Sequence, residues 1–321
     1  PVTEAVTGVD LVEWQLRVAA GEPLPRAQEE IHLDGHALEV RLYAEDPARD
    51  FRPQTGRLAA LALPRDARVD AGVAEGDRVT PHYDPMIAKV ITHAGDRAGA
   101  LARMQAALAE THVAGVGTNL AFLERLVRDA DFTAGRLDTG LIARRIEALT
   151  APQTPAPADF ALAAAALTGL LTPGPFTGWR AWGQGRSHAV LRTGEETHEV
   201  ALFPQTAAGG LDLAAETPAG RAETTLRPLG GPRWQVASAE GTAPVLLHRG
   251  PGTVTLVREG LRLTATLEDP VAREAEAAET GDAVRAPLPG LLRALTTRPG
   301  ARVSAGSILA VLEAMKMEHS L

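Results

Sequence analysis

The 321-residue sequence contains no cysteine. This absence excludes a disulfide framework, a thiolate nucleophile and any zinc or iron–sulfur site with cysteine ligands. A chain without cysteine is compatible with a reducing compartment. Its length is sufficient for two or three separate hydrophobic cores.

The sequence also lacks an excess of positive charge and a long apolar run. Its 32 basic side chains are outnumbered by 40 acidic ones, for a net charge of −8, and form no basic stripe. Because phosphate binding depends on clustered lysine and arginine, we expect no nucleic-acid partner. The longest apolar run, residues 160–171, is shorter than the roughly 20 residues of a membrane-spanning helix, so we also expect no membrane contact.

Lysine is almost absent: the sequence has only Lys89 and Lys316. Arginine supplies the other basic side chains. A guanidinium is a poor nucleophile, whereas an amine can be acylated or form a Schiff base. The two lysines are therefore the candidate sites for amine chemistry.

Residues 1–150 alternate between helical and strand-like patterns. A capping-box pattern at Thr7 and Asp10, followed by apolar residues at helical spacing, predicts a first helix. The segment His36–Tyr43 is typical of a strand, and further helices are predicted after Asp96 and Asn119. This region is therefore predicted to be mixed α/β.

A proline-rich segment, residues 151–157, predicts a linker between domains. The alanine-rich stretch 159–171 then predicts one helix. Short alternating stretches follow and flank turns at residues 194–196 and 259–260. We expect a helix and an antiparallel sheet or β-barrel over residues 158–271.

A charged, alanine-rich segment, residues 272–281, predicts a second linker. The last piece, residues 282–321, again shows period-two patterning but is too small to bury a stable core unaided. The fold class expected for the chain is α+β and multidomain: a mixed α/β region, a helix with an antiparallel barrel, and an incomplete all-β piece.

Lys316 lies between Met315 and Met317 at the end of an apolar stretch, where a hairpin tip is predicted. The structural alternative is an unmodified turn lysine between two core methionines. The scarcity of lysine elsewhere favours a protruding amine that attaches a carboxylic cofactor.

Two segments around Lys316 resemble the first half of a biotinyl carrier domain. They are Ala286-Pro287-Leu288-Pro289-Gly290 and Glu313-Ala314-Met315-Lys316-Met317, with Gly306 between them. The resemblance implies that Lys316 bears biotin through an amide bond and that Met315 and Met317 guide recognition by biotin protein ligase. Lipoyl domains share the fold, but their lysine usually lacks the methionine pair, so lipoate is the weaker alternative.

Motifs in residues 1–150 resemble the C-terminal region of a biotin carboxylase. They occur in the family's order and include Gly8-Val9-Asp10-Leu11-Val12, Arg41-Leu42-Tyr43-Ala44-Glu45-Asp46-Pro47, His82-Tyr83-Asp84-Pro85-Met86 and Gly117-Thr118-Asn119. The resemblance implies that Arg41 is catalytic and stabilises the biotin enolate, because a fixed cation in a dry pocket favours charge on the ureido oxygen. From local sequence alone, the alternative is an ion pair with Glu39, Glu45 or Asp46.

The remaining candidates receive structural interpretations. Lys89 is expected to pack or to form an ion pair with a neighbour such as Asp84. His32 and His36 are four residues apart, but their surroundings are strand-like and no third ligand is near, so we expect no metal site.

Residues 158–271 show no catalytic constellation, and we interpret Trp179, Trp182 and Trp234 as core or interface anchors. By position, this region resembles the helix-and-barrel domain of acyl-CoA carboxylase α subunits. In that family the domain joins the biotin carboxylase and carrier portions and docks them to the β subunit.

Taken together, these resemblances imply a fragment of the α subunit of a biotin-dependent acyl-CoA carboxylase, most like the 3-methylcrotonyl-CoA type. Propionyl-CoA and geranyl-CoA carboxylases are alternatives. In the complete ligase, MgATP activates bicarbonate, biotin on Lys316 is carboxylated in the site containing Arg41, and a carboxyltransferase β subunit of the hetero-oligomer transfers the carboxyl group to the acyl-CoA. A tethered cofactor raises the local concentration at both sites.

Two portions of the family pattern are absent from the sequence. The ATP-grasp portion, with the nucleotide and magnesium ligands, would precede Pro1, and the second half of the carrier domain would follow Leu321. We therefore expect the isolated chain to be inactive, and the alternative function is a non-catalytic docking and carrier module. The implied location is a bacterial cytoplasm or, in a eukaryote, the mitochondrial matrix.

Overall fold

The computed structural model describes all of the chain except residues 173–178, 180, 182–184, 195, 208, 259–260, 269–285, 287–289, 305 and 315–316. Two compact units are present: Pro1–Ala151 with Leu288–Leu321, and Pro152–Pro287. Within the described part of the chain, no helix is long and apolar enough to cross a membrane. The domain boundaries inferred from sequence stay predictions, and the predicted linker 272–281 lies outside the described residues.

Residues 1–151 of the first unit are mixed α/β, which confirms the predicted class. The helices are α1 (Val2–Thr7), α2 (Leu11–Ala19), α3 (Arg97–Glu110), α4 (Leu120–Leu126), α5 (Ala130–Thr133) and α6 (Leu141–Thr150). The strands are β1 (His36–Tyr43), β2 (Glu45–Asp46), β3 (Arg52–Pro53), β4 (Gly56–Arg57), β5 (Ala60–Ala62), β6 (Arg68–Ala71), β7 (Arg78–Val79), β8 (Met86–Ala94) and β9 (His112–Ala114). The antiparallel strands β1, β8 and β6 form the main sheet in that order, and β2–β3, β4–β7 and β5–β9 form small pairs.

Aspartate side chains cap the N-termini of three of these helices, α2, α3 and α5. The carboxylate of Asp10 accepts a hydrogen bond from the N–H of Glu13 at 2.9 Å, and that of Asp96 accepts one from Gly99 at 2.7 Å. Each bond satisfies an N–H that would otherwise lack a partner in the first turn. The capping box predicted at Thr7 was wrong, because Thr7 ends α1 and Asp10 itself caps α2.

One face of the main sheet packs against α3. Val40 and Leu42 of β1 and Val90 of β8 share a buried cluster with Leu101 and Met104 of α3. Because strand side chains alternate between the two faces of a sheet, the residues between these positions point the other way. That second face carries the charged side chains of the candidate site.

In the second unit, eight antiparallel strands close into a barrel in which each strand pairs with the next and β10 pairs with β17. The strands are β10 (Ser187–Thr193), β11 (Glu196–Ala207), β12 (Gly210–Thr217), β13 (Gly220–Gly230), β14 (Arg233–Ser238), β15 (Gly241–Gly250), β16 (Thr253–Arg258) and β17 (Leu261–Leu267). The predicted antiparallel barrel is therefore confirmed.

The helix α7 (Pro157–Leu167) is buried on all sides within this barrel. Every residue from Ala158 to Ala166 is buried, and the helix packs against β10–β13, β16 and β17. A helix with ordinary side chains is about 10–12 Å across, so alanine at most positions narrows it enough to lie inside a small barrel. The helix predicted to reach residue 171 ends at Leu167, and Thr168 is its C-cap.

Asp159 connects this central helix to the barrel wall. Its Oδ1 accepts a hydrogen bond from Nε of Arg258 at 2.6 Å, and its Oδ2 accepts one from Nη2 at 2.7 Å. The same Oδ2 accepts the N–H of Ala156 at 2.8 Å. The Asp159 side chain is 3% exposed and that of Arg258 is 23% exposed. A bidentate pair with so little solvent access holds the helix in register with β16.

Replacing Asp159 with alanine is expected to lower the free energy of unfolding of the second unit by about 2–3 kcal/mol. This loss is slightly smaller than that for a fully buried ion pair, because Arg258 keeps some contact with solvent. Urea unfolding followed by tryptophan fluorescence measures this loss. The matched control is Glu223→Ala, which breaks an exposed pair with Arg221 on the same barrel and should cost less than about 0.5 kcal/mol. Equal losses in the two variants would contradict a structural role for the buried pair.

Three antiparallel strands form the described C-terminal part of the first unit, in the order β18 (Leu291–Leu295), β19 (Ala310–Ala314) and β20 (Met317–Ser320). Among the side chains that the structure describes here, Ala310 and Leu312 are buried, and Leu321 packs against Leu312. Leu291 and Leu295 of β18 remain exposed. An all-β piece agrees with the expected fold class.

Candidate active site

Strand β1 positions the predicted catalytic arginine. Val40 and Leu42 point into the core, and the side chains of Glu39, Arg41 and Tyr43 lie on the opposite face of the strand. The Arg41 side chain is 60% exposed. The alternation of β1 therefore fixes the core on one face and presents a cation on the other.

The ion-pair partner of Arg41 is Glu39, one of the three acids considered from the sequence. Nε of Arg41 donates to Oε1 of Glu39 at 3.1 Å. The pKa of the Arg41 guanidinium is raised above its usual value. The main cause is the hydrogen bond with Glu39, and the next is a hydrogen bond with Tyr43. Glu45 is half-buried, and this burial, with nearby Asp84, raises the pKa of its carboxyl group. Arg41 is positively charged at neutral pH, as arginines are. Its catalytic role stays a prediction.

Lys89, on the central strand β8, lies between two register partners. Arg41 is opposite it on β1, and Asp70 is opposite it on β6. Nζ of Lys89 is 3.3 Å from Oδ2 of Asp70. The suggested ion pair with Asp84 was wrong: the Asp84 carboxylate accepts the N–H of Met86. Strand pairing, which local sequence does not reveal, brings Lys89 to Asp70.

Asp70 is the centre of a small charged network on this face. Nε of Arg68 donates to its Oδ1 at 3.1 Å, and Nη1 of Arg68 also reaches Oε2 of Glu4 at 2.9 Å. The hydrogen bond from Arg68, together with Lys89, holds the pKa of the Asp70 carboxyl below its usual range. These charged side chains, from β6, β8 and α1, are thus paired with one another.

Asn119 holds the edge of β1 next to Arg41. Its Nδ2 donates to the carbonyl of Arg41 at 3.1 Å, and its Oδ1 accepts the N–H of Tyr43 at 3.0 Å. Its own N–H donates to the carbonyl of Tyr43 at 3.1 Å. We did not select Asn119 from the sequence as a site residue. Its place in the Gly117-Thr118-Asn119 motif was the only available signal.

The predicted biotin-attachment residue, Lys316, lies outside the described residues, as does Met315. The strands on either side of them are described: β19 and β20 are antiparallel, with Ala314 opposite Met317. Two residues therefore connect a pair of registered strands. The roles assigned to Lys316, Met315 and Met317 stay predictions.

The histidine pair has other contacts. Nε2 of His36 lies 3.1 Å from Nη1 of Arg97, and His32 is exposed. Among the described residues, no group of three or more histidine, aspartate or glutamate side chains is arranged to hold a metal ion.

The three tryptophans interpreted as anchors have different surroundings. Trp234 is buried in the barrel core, and Trp179 is 67% exposed. Trp182 lies outside the described residues.

In a comparison with known families, residues 39–144 match the model of the biotin carboxylase C-terminal domain. This range contains Arg41, Lys89 and Asn119. The whole chain is 34% identical to the mitochondrial methylcrotonoyl-CoA carboxylase subunit alpha of Dictyostelium discoideum and covers 49% of that protein. It is likewise 34% identical over its whole length to the propionyl-CoA carboxylase alpha chain of Ruegeria pomeroyi, of which it covers 52%.

The chain therefore spans about half the length of these two relatives. Among solved structures, the biotin carboxylase subunit of a pyruvate carboxylase is 40% identical. That match covers 48% of this chain and 34% of the other, with a TM-score of 0.46.

Proposed function

We propose that this chain is part of the α subunit of an acyl-CoA carboxylase. Residues 39–144 match the biotin carboxylase C-terminal domain, and the whole chain is 34% identical to two acyl-CoA carboxylase α subunits. The complete protein would carboxylate biotin on Lys316 with bicarbonate at the expense of MgATP, and a β subunit would then carboxylate an acyl-CoA. One observation carries this proposal: the same chain contains both Arg41, within the segment that matches biotin carboxylases, and the sequence Ala314-Met315-Lys316-Met317.

The described residues are compatible with covalently attached biotin. The antiparallel pairing of β19 and β20 brings Ala314 opposite Met317, on either side of the attachment sequence. On β1, an exposed guanidinium offers a cation to a polar ligand. Biotin supplies a ureido group that accepts and carries the carboxyl group.

Arg41 is the residue to which we assign stabilisation of charge on the ureido oxygen. The guanidinium of an arginine is protonated at neutral pH, so its N–H groups act only as donors. Glu39 binds Nε, and we assign the terminal Nη groups, which lie beside Tyr43, as the donors toward the ligand. A prepositioned cation stabilises negative charge that develops beside it.

The acyl-CoA is proposed to be 3-methylcrotonyl-CoA, with propionyl-CoA and geranyl-CoA as alternatives. Relatives named for methylcrotonoyl-CoA and for propionyl-CoA are both 34% identical to the chain, so identity does not separate the two. Incorporation of labelled bicarbonate into a panel of the three acyl-CoAs, with α and β subunits assembled, identifies the substrate. Acid-stable label in none of them would contradict the acyl-CoA assignment.

The proposed partners are a carboxyltransferase β subunit, in a hetero-oligomer, and biotin protein ligase. The eukaryotic relatives are named as mitochondrial proteins. We accordingly propose the mitochondrial matrix in a eukaryote and the cytoplasm in a bacterium.

The first test is the intact mass of the native polypeptide, with peptide mapping across Lys316. We expect a chain much longer than these 321 residues, with biotin on Lys316. A mass near 33.7 kDa with an unmodified Lys316 would contradict the proposal and favour the second candidate, a non-catalytic docking and carrier module.

A kinetic test separates the same two candidates. The isolated 321-residue chain is expected to show no bicarbonate-dependent release of ADP, because the proposed nucleotide ligands belong to the other half of the subunit. The complete subunit should release ADP in a biotin-dependent manner. Turnover by the isolated chain would require a nucleotide site within it and would overturn this division of roles.

A further inference from the structure

Strand β1 lies at the edge of the three-stranded sheet β1–β8–β6. One side of β1 pairs with β8. On its other side, the backbone N–H and C=O groups need other hydrogen-bond partners. Three backbone groups at the Arg41 end of β1 bind Asn119: the carbonyl of Arg41 and the N–H and carbonyl of Tyr43. The register with β8 also shifts between Leu42 and Tyr43. Asn119 therefore supports β1 where its regular pairing is disturbed.

The side chain of Asn119 is committed to this contact. Asn119 occupies the N-cap position of α4, where an asparagine side chain ordinarily accepts an N–H from the first helical turn. Here its side chain makes no such bond and instead contacts β1, 76 and 78 residues earlier in the chain. Asn119 is 5% exposed, so water does not replace these bonds. The amide thus satisfies the backbone on both sides of Leu42 rather than its own helix.

We propose that Asn119 is a positioning residue for Arg41, which fixes the backbone from which the Arg41 side chain extends toward biotin. This inference rests on the proposed function of Arg41. Glu39 orients the guanidinium from its own strand, through Nε, and Asn119 holds the strand itself. The two contacts restrain the two ends of the arginine.

The Arg41 side chain is long, so a small rotation of the backbone at its base displaces the guanidinium by a larger distance. A misplacement of about 1 Å in a catalytic site can cost on the order of 100-fold in rate. Replacement of Asn119 by alanine removes one donor and one acceptor from the edge of β1. We expect Asn119→Ala to lower kcat for biotin-dependent ATP cleavage about 10-fold, with the KM for MgATP unchanged.

The experiment is a double-mutant cycle in the complete α subunit. It compares Asn119→Ala, Arg41→Ala and the double variant. If Asn119 acts through Arg41, then Asn119→Ala should change the rate less than about twofold once Arg41 is already alanine. A purely structural role would lower the rate by the same factor in both backgrounds, because a loss of folded protein does not depend on Arg41.

The matched control is Gln105→Ala. Gln105 on α3 also donates from a side-chain amide to a backbone carbonyl, that of Val127, at 3.2 Å. It contacts neither β1 nor Arg41 in the bonds described. This variant should keep the wild-type rate and show no coupling to Arg41.

Asn119→Asp provides a second variant in case Asn119→Ala does not fold. It keeps an acceptor for the Tyr43 N–H but replaces the donor to the Arg41 carbonyl with an oxygen. We expect a loss of rate that again disappears in the Arg41→Ala background. Hydrogen exchange provides a readout on the 321-residue chain itself, since the Tyr43 amide should lose protection in Asn119→Ala and keep it in Gln105→Ala.

The outcomes distinguish the inference from the function on which it rests. If Arg41→Ala leaves the rate unchanged, the assignment of Arg41 fails and the positioning role fails with it. If Arg41→Ala lowers the rate but Asn119 substitutions have no effect, or have equal effects in both backgrounds, only the positioning role of Asn119 is overturned.

Discussion

Replacing Lys316 with arginine is expected to abolish biotin incorporation into the complete α subunit, and with it all transfer of carboxyl groups to an acyl-CoA. Arginine keeps the positive charge and much of the length of lysine, but its guanidinium is not acylated by an activated carboxylate. The loss should therefore be complete rather than partial. Streptavidin blotting and intact mass measure it directly.

The composition provides an unusually clean control for this experiment. Lys89 is the other lysine of the 321-residue sequence, and its ammonium group pairs with Asp70 in the main sheet. Lys89→Arg should leave biotin incorporation at the wild-type level. Biotin recovered on Lys89, or retained by Lys316→Arg, would show that Lys316 is not the attachment site.

The methionines beside Lys316 should affect the rate of labelling rather than its extent. If Met315 and Met317 guide recognition by biotin protein ligase, alanine at either position slows incorporation while the amine remains available. A time course of labelling with purified ligase measures this. Unchanged rates in both variants would remove the methionines from recognition.

The second large effect is expected for Arg41→Ala in the complete subunit. Removing a charged donor from a site of developing negative charge typically costs about 10²–10³-fold in kcat. We expect a loss of this order in biotin-dependent ATP cleavage, while binding of MgATP remains close to that of the wild type. Arg41→Lys should recover little, because a compact ammonium group does not reproduce the planar fork of the guanidinium.

Arg49→Ala is the matched control for Arg41. Arg49 follows on the same stretch of chain, is 69% exposed and lies 3.7 Å from Asp46. Its removal should leave the rate unchanged, because exposed pairs contribute little. A wild-type rate for Arg41→Ala, or equal losses in the two arginine variants, would exclude a specific catalytic role for Arg41.

Several structural elements followed directly from local patterns. The strand-like pattern of apolar and polar residues predicted the bounds of β1, His36–Tyr43. The turn signal at residues 259–260 separated β16 from β17 at the positions observed. Asp96 begins α3 as expected. These features depend on residues close together in the chain, so periodicity and capping are sufficient to predict them.

Other features could not be read from local sequence. The alanine-rich stretch predicted a helix but not that α7 is enclosed by the barrel, and it gave no sign that the helix ends at Leu167. Lys89 was expected to pack or to pair with a neighbour such as Asp84, whereas strand pairing brings it to Asp70. Each of these outcomes depends on which distant segments pack together.

The sequence by itself determined the chemical candidates, because their identity rests on residue type: an acylable amine at Lys316 in a chain nearly devoid of lysine, and a permanent cation at Arg41. Tertiary structure alone decided what holds them or their neighbours in place. Asn119 reaches Arg41 across 78 residues, and Arg258 reaches Asp159 across 99. Hydrogen bonds depend on distance and direction in space, and those are set only when the strands pair and the helices pack.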